Sequence, residues 1–268
     1  YKALSAAVDD AQTDWPVVGS FLPRGDDLNM PPLGDIAGQF AEVPGGQEQS
    51  YAAILFDEGL FTLREAAVGF AVGLVVGVAI AIVLARWRPL ERGLLPFVIA
   101  SQTIPLIAIA PIVVIWGRQN FDFLPWEWQD WMSVSIIATY LTFFPVAVNG
   151  LRGLQSPTAD HLELMSSYAA GWGQTLWRLR LPAAVPYLFA AAKMAATASI
   201  VGAIVGEISA GVSGGLGRRL LNEAFNFTTG PDRLYASVIG AAVLGIAVFA
   251  LVAAAERLVL IRQNREAV

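Results

Sequence analysis

Long apolar runs separated by polar segments are the main pattern along the chain. Five runs are long enough to cross a bilayer as helices, since a span needs about 20 residues. They cover residues 66–85, 93–116, 132–148, 183–208 and 235–258. The pattern therefore predicts an all-α membrane protein with five spans in this chain.

The first run carries a glycine repeat. Gly69, Gly73 and Gly77 recur every four residues, which places them on one face of a helix. Because glycine lets two backbones approach closely, this face is predicted to pack on another helix.

The second run is interrupted by prolines at positions 96, 105 and 111, which predict kinks. Gln102 and Thr103 lie beside the middle proline. They are candidates for lining a polar path through the membrane. Hydrogen bonding to a neighbouring helix is an equal alternative.

Composition narrows the chemistry further. Hydrophobic residues make up 56% of the chain and charged residues 15%, which favours a bilayer over water as the surrounding solvent. There is no cysteine, and His161 is the single histidine, so no disulfide frame or histidine-rich metal site is expected. No basic cluster points to nucleic acid. We therefore expect no catalytic residue and no metal ligand.

Two other classes of membrane protein have different requirements. An intramembrane enzyme would need paired carboxylates or a serine and histidine at one depth, and the sequence offers no such set. A passive channel would need repeated polar or charged rings.

Residues 1–60 form an acidic, loop-rich segment with turn formers at Pro31-Pro32-Leu33-Gly34 and Pro44-Gly45-Gly46. Short helices are predicted near 36–40 and 51–56, each too short to span a membrane. The segment is either a solvated connection or a cap outside the membrane. Since the chain begins with Tyr1 and not Met, a span or signal before it is expected.

Loop charges predict the orientation. One set of loops, comprising the loop after the first run, the Asp160 region and the tail, carries nine basic and five acidic residues, against seven and sixteen for the other set. The positive-inside rule therefore places the first set in the cytoplasm. The N-terminal segment is then outside and the C-terminus cytoplasmic.

The cytoplasmic stretch between the third and fourth runs is predicted to be helical. Ser156-Pro157 is a good helix start, and the helix is predicted to run toward Arg180. Its apolar stripe consists of Leu162, Met165, Tyr168, Ala169 and Trp172. Helices that lie on lipid are usually basic on the polar face, whereas Asp160 and Glu163 lead here, so a protein partner is favoured over lipid.

This stretch resembles the EAA signature of permease subunits of ABC importers. That signature reads Glu-Ala-Ala, three residues, Gly, nine residues and Ile-x-Leu-Pro, and Glu163, Ala169 and 179–182 stand at the corresponding places. Leu164-Met165 replace the alanines, Ala169 replaces the glycine that normally makes a sharp turn, and Leu179 replaces the isoleucine. Gly171 and Gly173 follow closely.

The resemblance covers about residues 60–262. Leu181-Pro182-Ala183-Ala184-Val185-Pro186-Tyr187, Lys193-Met194-Ala195 and Val205-Gly206-Glu207 are similar to the branch that imports nitrate, sulfonates, taurine and pyrimidine precursors. It implies a type I ABC importer permease fold with six spans, so a first span is expected before Tyr1. It also implies a permease domain at 61–262, a coupling helix at about 157–172 and a cytoplasmic tail at 263–268.

The resemblance further implies a function in the bacterial inner membrane. Two such permeases would form a pathway for a small solute delivered by a soluble extracytoplasmic binding protein. Two cytoplasmic ATPase subunits would carry ATP and Mg, since this chain has no phosphate-binding loop and needs no cofactor of its own. Asp160, Glu163, Leu164, Met165, Tyr168, Ala169 and Gly171 would dock the ATPase. Aromatic residues outside the membrane favour a vitamin or pyrimidine precursor as the substrate over a sulfonate, taurine or nitrate.

Lys193 and Glu207 are ionisable residues inside the fourth run. Fourteen residues separate them, about 21 Å along a helix, so they cannot pair with each other. A structural ion pair or carbonyl contact is the favoured role for each, with substrate contact as the alternative. Glu207 is also a candidate gate residue, together with the loop at 213–219.

Overall fold

The structure is a computed structural model that describes residues 31–120 and 127–266. Lys2, Arg24 and Trp126 lie outside the described residues, as do the side chains of Arg262 and Arg265. The helices are α1 (Leu33–Gln39), α2 (Tyr51–Arg86), α3 (Arg88–Ser101), α4 (Leu106–Asn120), α5 (Asp130–Leu154), α6 (Ala159–Ser167), α7 (Trp172–Ala210, including a π-helical turn at Leu176–Arg180), α8 (Leu216–Phe225) and α9 (Pro231–Glu266). No strand occurs in the described ranges.

Four of these helices, α2, α5, α7 and α9, are long and apolar enough to cross a membrane. The pair α3 and α4 passes the same test together but bends by 95°, which allows five spans in the described residues. The predicted all-α membrane fold is confirmed. The second run at 93–116, which is predicted to be kinked at its prolines, consists of two helices. The break lies at Pro105, which lacks an N–H group and restricts Ile104 before it.

The described residues form two compact units, one from residues 31–61 and 213–243 and the other from residues 62–120, 127–212 and 244–266. In the first unit, the Tyr51 hydroxyl hydrogen-bonds the Ser237 Oγ atom at 2.7 Å and donates to the Arg233 carbonyl at 3.1 Å. Arg219 of α8 lies 3.8 Å from the Glu58 carboxylate and 3.6 Å from that of Glu223. These contacts hold the start of α2, α8 and the start of α9 together.

Two sequence predictions for this unit need correction. The predicted short helix at 51–56 is the first part of α2, a continuous helix of 36 residues. The segment predicted as loop after Ser213 contains α8. The glycines at 214, 215 and 217 are typical of a loop and led to that prediction. A helix forms because Leu216 is buried and because the Arg219–Glu223 ion pair has the i,i+4 spacing that supports a helix.

In the second unit, α2, α5 and α7 pack closely. A Cβ atom added to Gly73 would lie 2.5 Å from the Thr142 Cβ atom, and one added to Gly77 would lie 2.7 Å from the Val146 Cβ atom. Gly69 faces Ala138 in the same way. This is the close helix approach that the four-residue glycine spacing predicts.

The apolar core of this unit continues toward the ends of α2 and α5. Its two buried clusters consist of Val146, Ala191 and Ala195, and of Ala81, Leu84, Leu151, Leu154, Leu176 and Ala184. The core therefore fixes the end of α5 and the start of α7, which flank the short helix α6.

Candidate functional site

Helix α6 leaves most of its side chains exposed, and only Leu162 and Met165 are half-buried. None of its residues is buried. Leu164 is 54% exposed, and Tyr168, which caps the helix, is 76% exposed. Asp160 and Glu163 are exposed as well, so apolar and acidic side chains share a free surface.

The turn after α6 is sharp and has a defined geometry. Ala169 has φ of 52°, and it is the non-glycine residue of the described chain with positive φ. The Ala169 N–H donates to the Ser166 carbonyl at 2.9 Å, and the Ala170 N–H donates to the Met165 carbonyl at 3.0 Å. These two bonds form a Schellman motif. Ala169 thus makes a left-handed turn at the position where the resemblance to the EAA signature implies a sharp turn.

The bounds of α6 differ from the predicted ones at both ends. Thr158 and not Ser156 precedes the helix, and the Ser156 hydroxyl instead donates to the Gly153 carbonyl at 2.8 Å. The helix ends at Ser167 and does not run to position 172 or toward Arg180. The apolar stripe could not reveal this, because it continues in sequence across the turn.

Beyond the turn, the chain enters α7 directly. Gly171 is the N-cap of α7, and its N–H donates to the Gln174 Oε1 atom at 3.2 Å. The Arg86 guanidinium lies 5.4 Å from the centre of the Trp172 ring, within cation–π range. Trp172 therefore packs near the end of α2 and is not part of the α6 surface, in contrast to the predicted stripe.

The end of the signature is tied to α5. The Arg180 Nη1 atom donates to the Leu154 carbonyl at 2.8 Å. Leu154 is the last residue of α5, so this bond caps that helix with a cation. The two ends of the segment that carries α6 are thus joined.

Lys193 has the kind of partner that the sequence favours. Its Nζ atom lies 2.7 Å from the Glu256 Oε2 atom, and both side chains are mostly buried. The pair links α7 to α9. It explains how a lysine is tolerated inside an apolar helix.

Glu207 lies in a different setting. It is fully buried, and the Thr62 Oγ1 atom donates to its Oε1 atom at 2.6 Å. Glu65 is fully buried too, interacts electrostatically with Glu207, and has two carboxyl oxygens without a hydrogen bond in the described chain. A hydroxyl group beside a second acid is thus one partner of Glu207.

Gln102 and Thr103 lie at the break between α3 and α4. The Thr103 hydroxyl donates to the Ala100 carbonyl at 2.7 Å, and the Gln102 Nε2 atom is buried without a partner in the described chain. The Tyr140 hydroxyl of α5 donates to the Ser101 carbonyl. The break is therefore fixed by α5, while a path-lining role for Gln102 and Thr103 stays a prediction.

Sequence reasoning missed Glu65 and Glu256. A signal for Glu65 was present, since it lies four residues before Gly69 and so continues the face that packs on α5 and α7. The loop-charge count places Glu256 in the cytoplasmic tail. A lysine inside an apolar helix needs an acidic partner, and this requirement was the available signal for Glu256.

The sequence also matches a known protein family. The family model described as "Binding-protein-dependent transport system inner membrane component" matches residues 73–262. The match includes α6, the Ala169 turn and Lys193, Glu207 and Glu256.

Three relatives are similar over part of the chain. The formylaminopyrimidine transport permease protein ThiX of Halalkalibacterium halodurans is 32% identical over 53% of this chain and 53% of its own length. The riboflavin transport system permease protein RibX of Chloroflexus aurantiacus is 28% identical over 56% and 54%. The putative aliphatic sulfonates transport permease protein SsuC of Bacillus subtilis is 27% identical over 49% and 44%. The chain spans about half the length of these curated relatives.

Proposed function

The chain belongs to the family of binding-protein-dependent transport system inner membrane components, and on that premise we propose that it forms the translocation pathway of an ATP-driven importer. The solute is small and is delivered by a soluble extracytoplasmic binding protein. A second copy of the chain completes the pathway. Two cytoplasmic ATPase subunits supply the energy and carry ATP and Mg.

The exposed surface of α6 is the observation that carries this proposal. Leu164 and Tyr168 are large apolar side chains that their own chain leaves exposed, and Glu163 lies beside them. A groove on the ATPase would bury these side chains together with Met165, and Glu163 would make the polar contact. Asp160 lies in the first turn of α6, and Ala169 and Gly171 form the turn that orients the helix.

The connections of α6 suit a rigid-body mechanism. The Schellman turn joins α6 to α7, and the Arg180–Leu154 hydrogen bond joins α7 to the end of α5. A displacement of α6 by the ATPase is therefore passed to two packed membrane helices and not absorbed by a loose loop. Alternating access follows when one such body moves against another.

In this mechanism the buried polar and charged residues of the helix bundle either hold helices together or contribute to the gate and the pathway. The Lys193–Glu256 pair holds α7 against α9, and Glu207 with Thr62 holds α7 against α2. Glu207 acts as part of a gate, and Gln102 and Thr103 line the pathway at the break between α3 and α4. The orientation follows the loop charges, with α6 and the C-terminus in the cytoplasm.

We propose a ring-containing vitamin or pyrimidine precursor as the substrate. Two relatives are named for formylaminopyrimidine and riboflavin transport, both of which are flat heteroaromatic compounds, and this supports the choice. The sulfonate relative supports the second candidate class.

Transport in reconstituted vesicles tests the function. The permease, its ATPase and its binding protein are placed in liposomes, and uptake of labelled pyrimidine, flavin, alkylsulfonate and nitrate is compared with and without ATP. The proposal predicts uptake that needs both ATP and the binding protein, with a heteroaromatic solute preferred. Uptake that proceeds equally without ATP would indicate a passive channel and contradict it.

A further inference from the structure

A cavity lined by basic side chains lies between the end of α2, the start of α3 and the segment around α6. Its volume is about 480 Å³. The residues that line it are Ala85, Arg88, Glu91, Arg92, Gln155, Leu162 and Arg180. Three arginines and one glutamate line the cavity, so its lining has a net positive charge and is suited to an anion.

Arg180 lines this cavity and is fixed by the end of α5. Its Nη1 atom is held by the Leu154 carbonyl, whereas its Nε atom is buried and has no hydrogen-bond partner in the described chain. Phosphate oxygens match guanidinium groups well, because one phosphate accepts several charge-assisted hydrogen bonds at once.

An apolar groove adjoins the cavity along α3. It has a volume of about 470 Å³ and shares Glu91 and Arg92 with the cavity. Its other lining residues are Leu95, Pro96, Ile99, Ala100 and Thr103. Ile99 is 51% exposed, so the groove presents apolar surface that its own chain does not cover.

The two features together identify one ligand class. A free phosphate ion would use the cavity and leave the groove empty, whereas a fatty acyl chain alone would leave the arginines unpaired. A phospholipid with an anionic headgroup satisfies both. The cavity also lies beside Arg86, where the apolar helix α2 ends, which is the level at which lipid headgroups meet a membrane protein.

We propose that this cavity and groove form a binding site for an anionic phospholipid. The phosphate binds Arg88, Arg92 and Arg180, and one acyl chain lies along α3 against Ile99 and Ala100. Because Leu162 of α6 and Gln155 at the end of α5 also line the cavity, the bound lipid joins α3 to the segment that carries α6. The membrane's content of anionic lipid then stabilises the position of α6.

Native mass spectrometry of the purified chain in mild detergent tests the site. Phosphatidylglycerol, phosphatidylcholine and inorganic phosphate are titrated separately. We expect phosphatidylglycerol to bind in preference to phosphatidylcholine. The double substitution Arg88→Gln and Arg92→Gln should weaken phosphatidylglycerol binding roughly 10- to 30-fold, since each basic residue contributes about one kcal/mol to anionic lipid binding.

The matched control is Arg152→Gln with Arg178→Gln. Both residues are exposed, neither lines the cavity, and the change in net charge is the same. This control should leave phosphatidylglycerol binding within about twofold. Ala100→Trp, which fills the groove, should weaken phosphatidylglycerol binding while all three arginines remain.

Three results would overturn the proposal. One is equal binding of phosphatidylglycerol and phosphatidylcholine, and a second is an equal loss in the control. The third is tight binding of inorganic phosphate with no effect of Ala100→Trp, which would indicate a site for a free anion. Arg92→Gln alone, at an exposed position, should still give about a fivefold loss if the double variant fails to fold.

Discussion

Helices α5 and α6 follow one another in the chain, yet they relate to their own unit in opposite ways. Helix α5 buries thirteen residues, from Ser133 to Leu154, against α2 and α7. Helix α6 buries none, although it carries apolar side chains such as Leu164. Four residues, 155–158, separate a helix whose apolar residues are explained by internal packing from one whose exposed apolar residues are not.

This difference shows which apolar surface is not covered by the chain's own helices. The apolar residues of α5 are accounted for by the glycine face of α2 and by the small residues of α7. The exposed apolar residues Leu164 and Tyr168 of α6 and its cap have no such account in the described chain. They require a partner, and the following predictions test that contrast between packed and unpartnered surface.

The largest effect is expected at the glycine face that packs on α5. Gly73→Leu would force side-chain atoms into Thr142, whose Cβ atom would lie 2.5 Å from the new Cβ atom. Overpacking at such a position should cost about 3 kcal/mol or more in unfolding free energy. The measurement is thermal unfolding in detergent. Gly245→Leu is the control, because a Cβ atom at Gly245 meets nothing within 4 Å, and a similar loss there would contradict the account of packing.

A matched leucine pair tests the contrast directly. Leu151 of α5 is buried at 3% exposure, whereas Leu164 of α6 is 54% exposed. Leu151→Ala should lower the unfolding free energy by about 3 kcal/mol, because it leaves a cavity in the core. Leu164→Ala should change it by less than about 0.5 kcal/mol and instead reduce solute uptake. Equal destabilisation by both would show that α6 is packed in its own chain.

The ion pair between α7 and α9 should behave as a unit. Lys193→Met leaves the Glu256 carboxylate mostly buried without its cation and should cost about 2 kcal/mol. Adding Glu256→Met should recover most of that loss, as measured by a double-mutant cycle. If stability returns but uptake does not, Lys193 contacts the solute as well. A double variant as unstable as the single one would show that the pair is not the reason for the loss.

The smallest effect is expected at the turn after α6. Ala169 has φ of 52°, which costs an alanine about 1 kcal/mol relative to glycine. Ala169→Gly should therefore increase hydrogen-exchange protection of the α6 amides roughly fivefold. Ala170→Gly is the control, since Ala170 does not have positive φ, and it should lower protection slightly. A decrease with Ala169→Gly would contradict the left-handed turn.

Much of the fold could be predicted from the sequence, because a bilayer imposes simple rules. The five apolar runs correspond to α2, the α3–α4 pair, α5, α7 and α9. The glycine spacing at 69, 73 and 77 predicted a packed face. Helix ends were harder. Nothing in the apolar pattern distinguishes the first part of α2 from a separate short helix, or places a turn within the stripe that continues to Trp172.

The site was less predictable, because partners in space are distant in sequence. Glu256 is 63 residues from Lys193, and Thr62 is 145 residues from Glu207. Spacing excluded a Lys193–Glu207 pair but could not supply the true partners. The conformation of Ala169 was also beyond the sequence, since alanine rarely adopts positive φ and only the hydrogen bonds of the motif reveal it.

Co-purification of the ATPase subunit with the membrane-extracted permease tests the central claim, that α6 is the docking surface, most directly. Glu163→Arg reverses the exposed acidic residue of α6, and Glu127→Arg makes the same change at an exposed position outside it. The account predicts that Glu163→Arg loses the ATPase while Glu127→Arg retains it, with both permeases equally folded. Retention of the ATPase and of uptake by Glu163→Arg would contradict it.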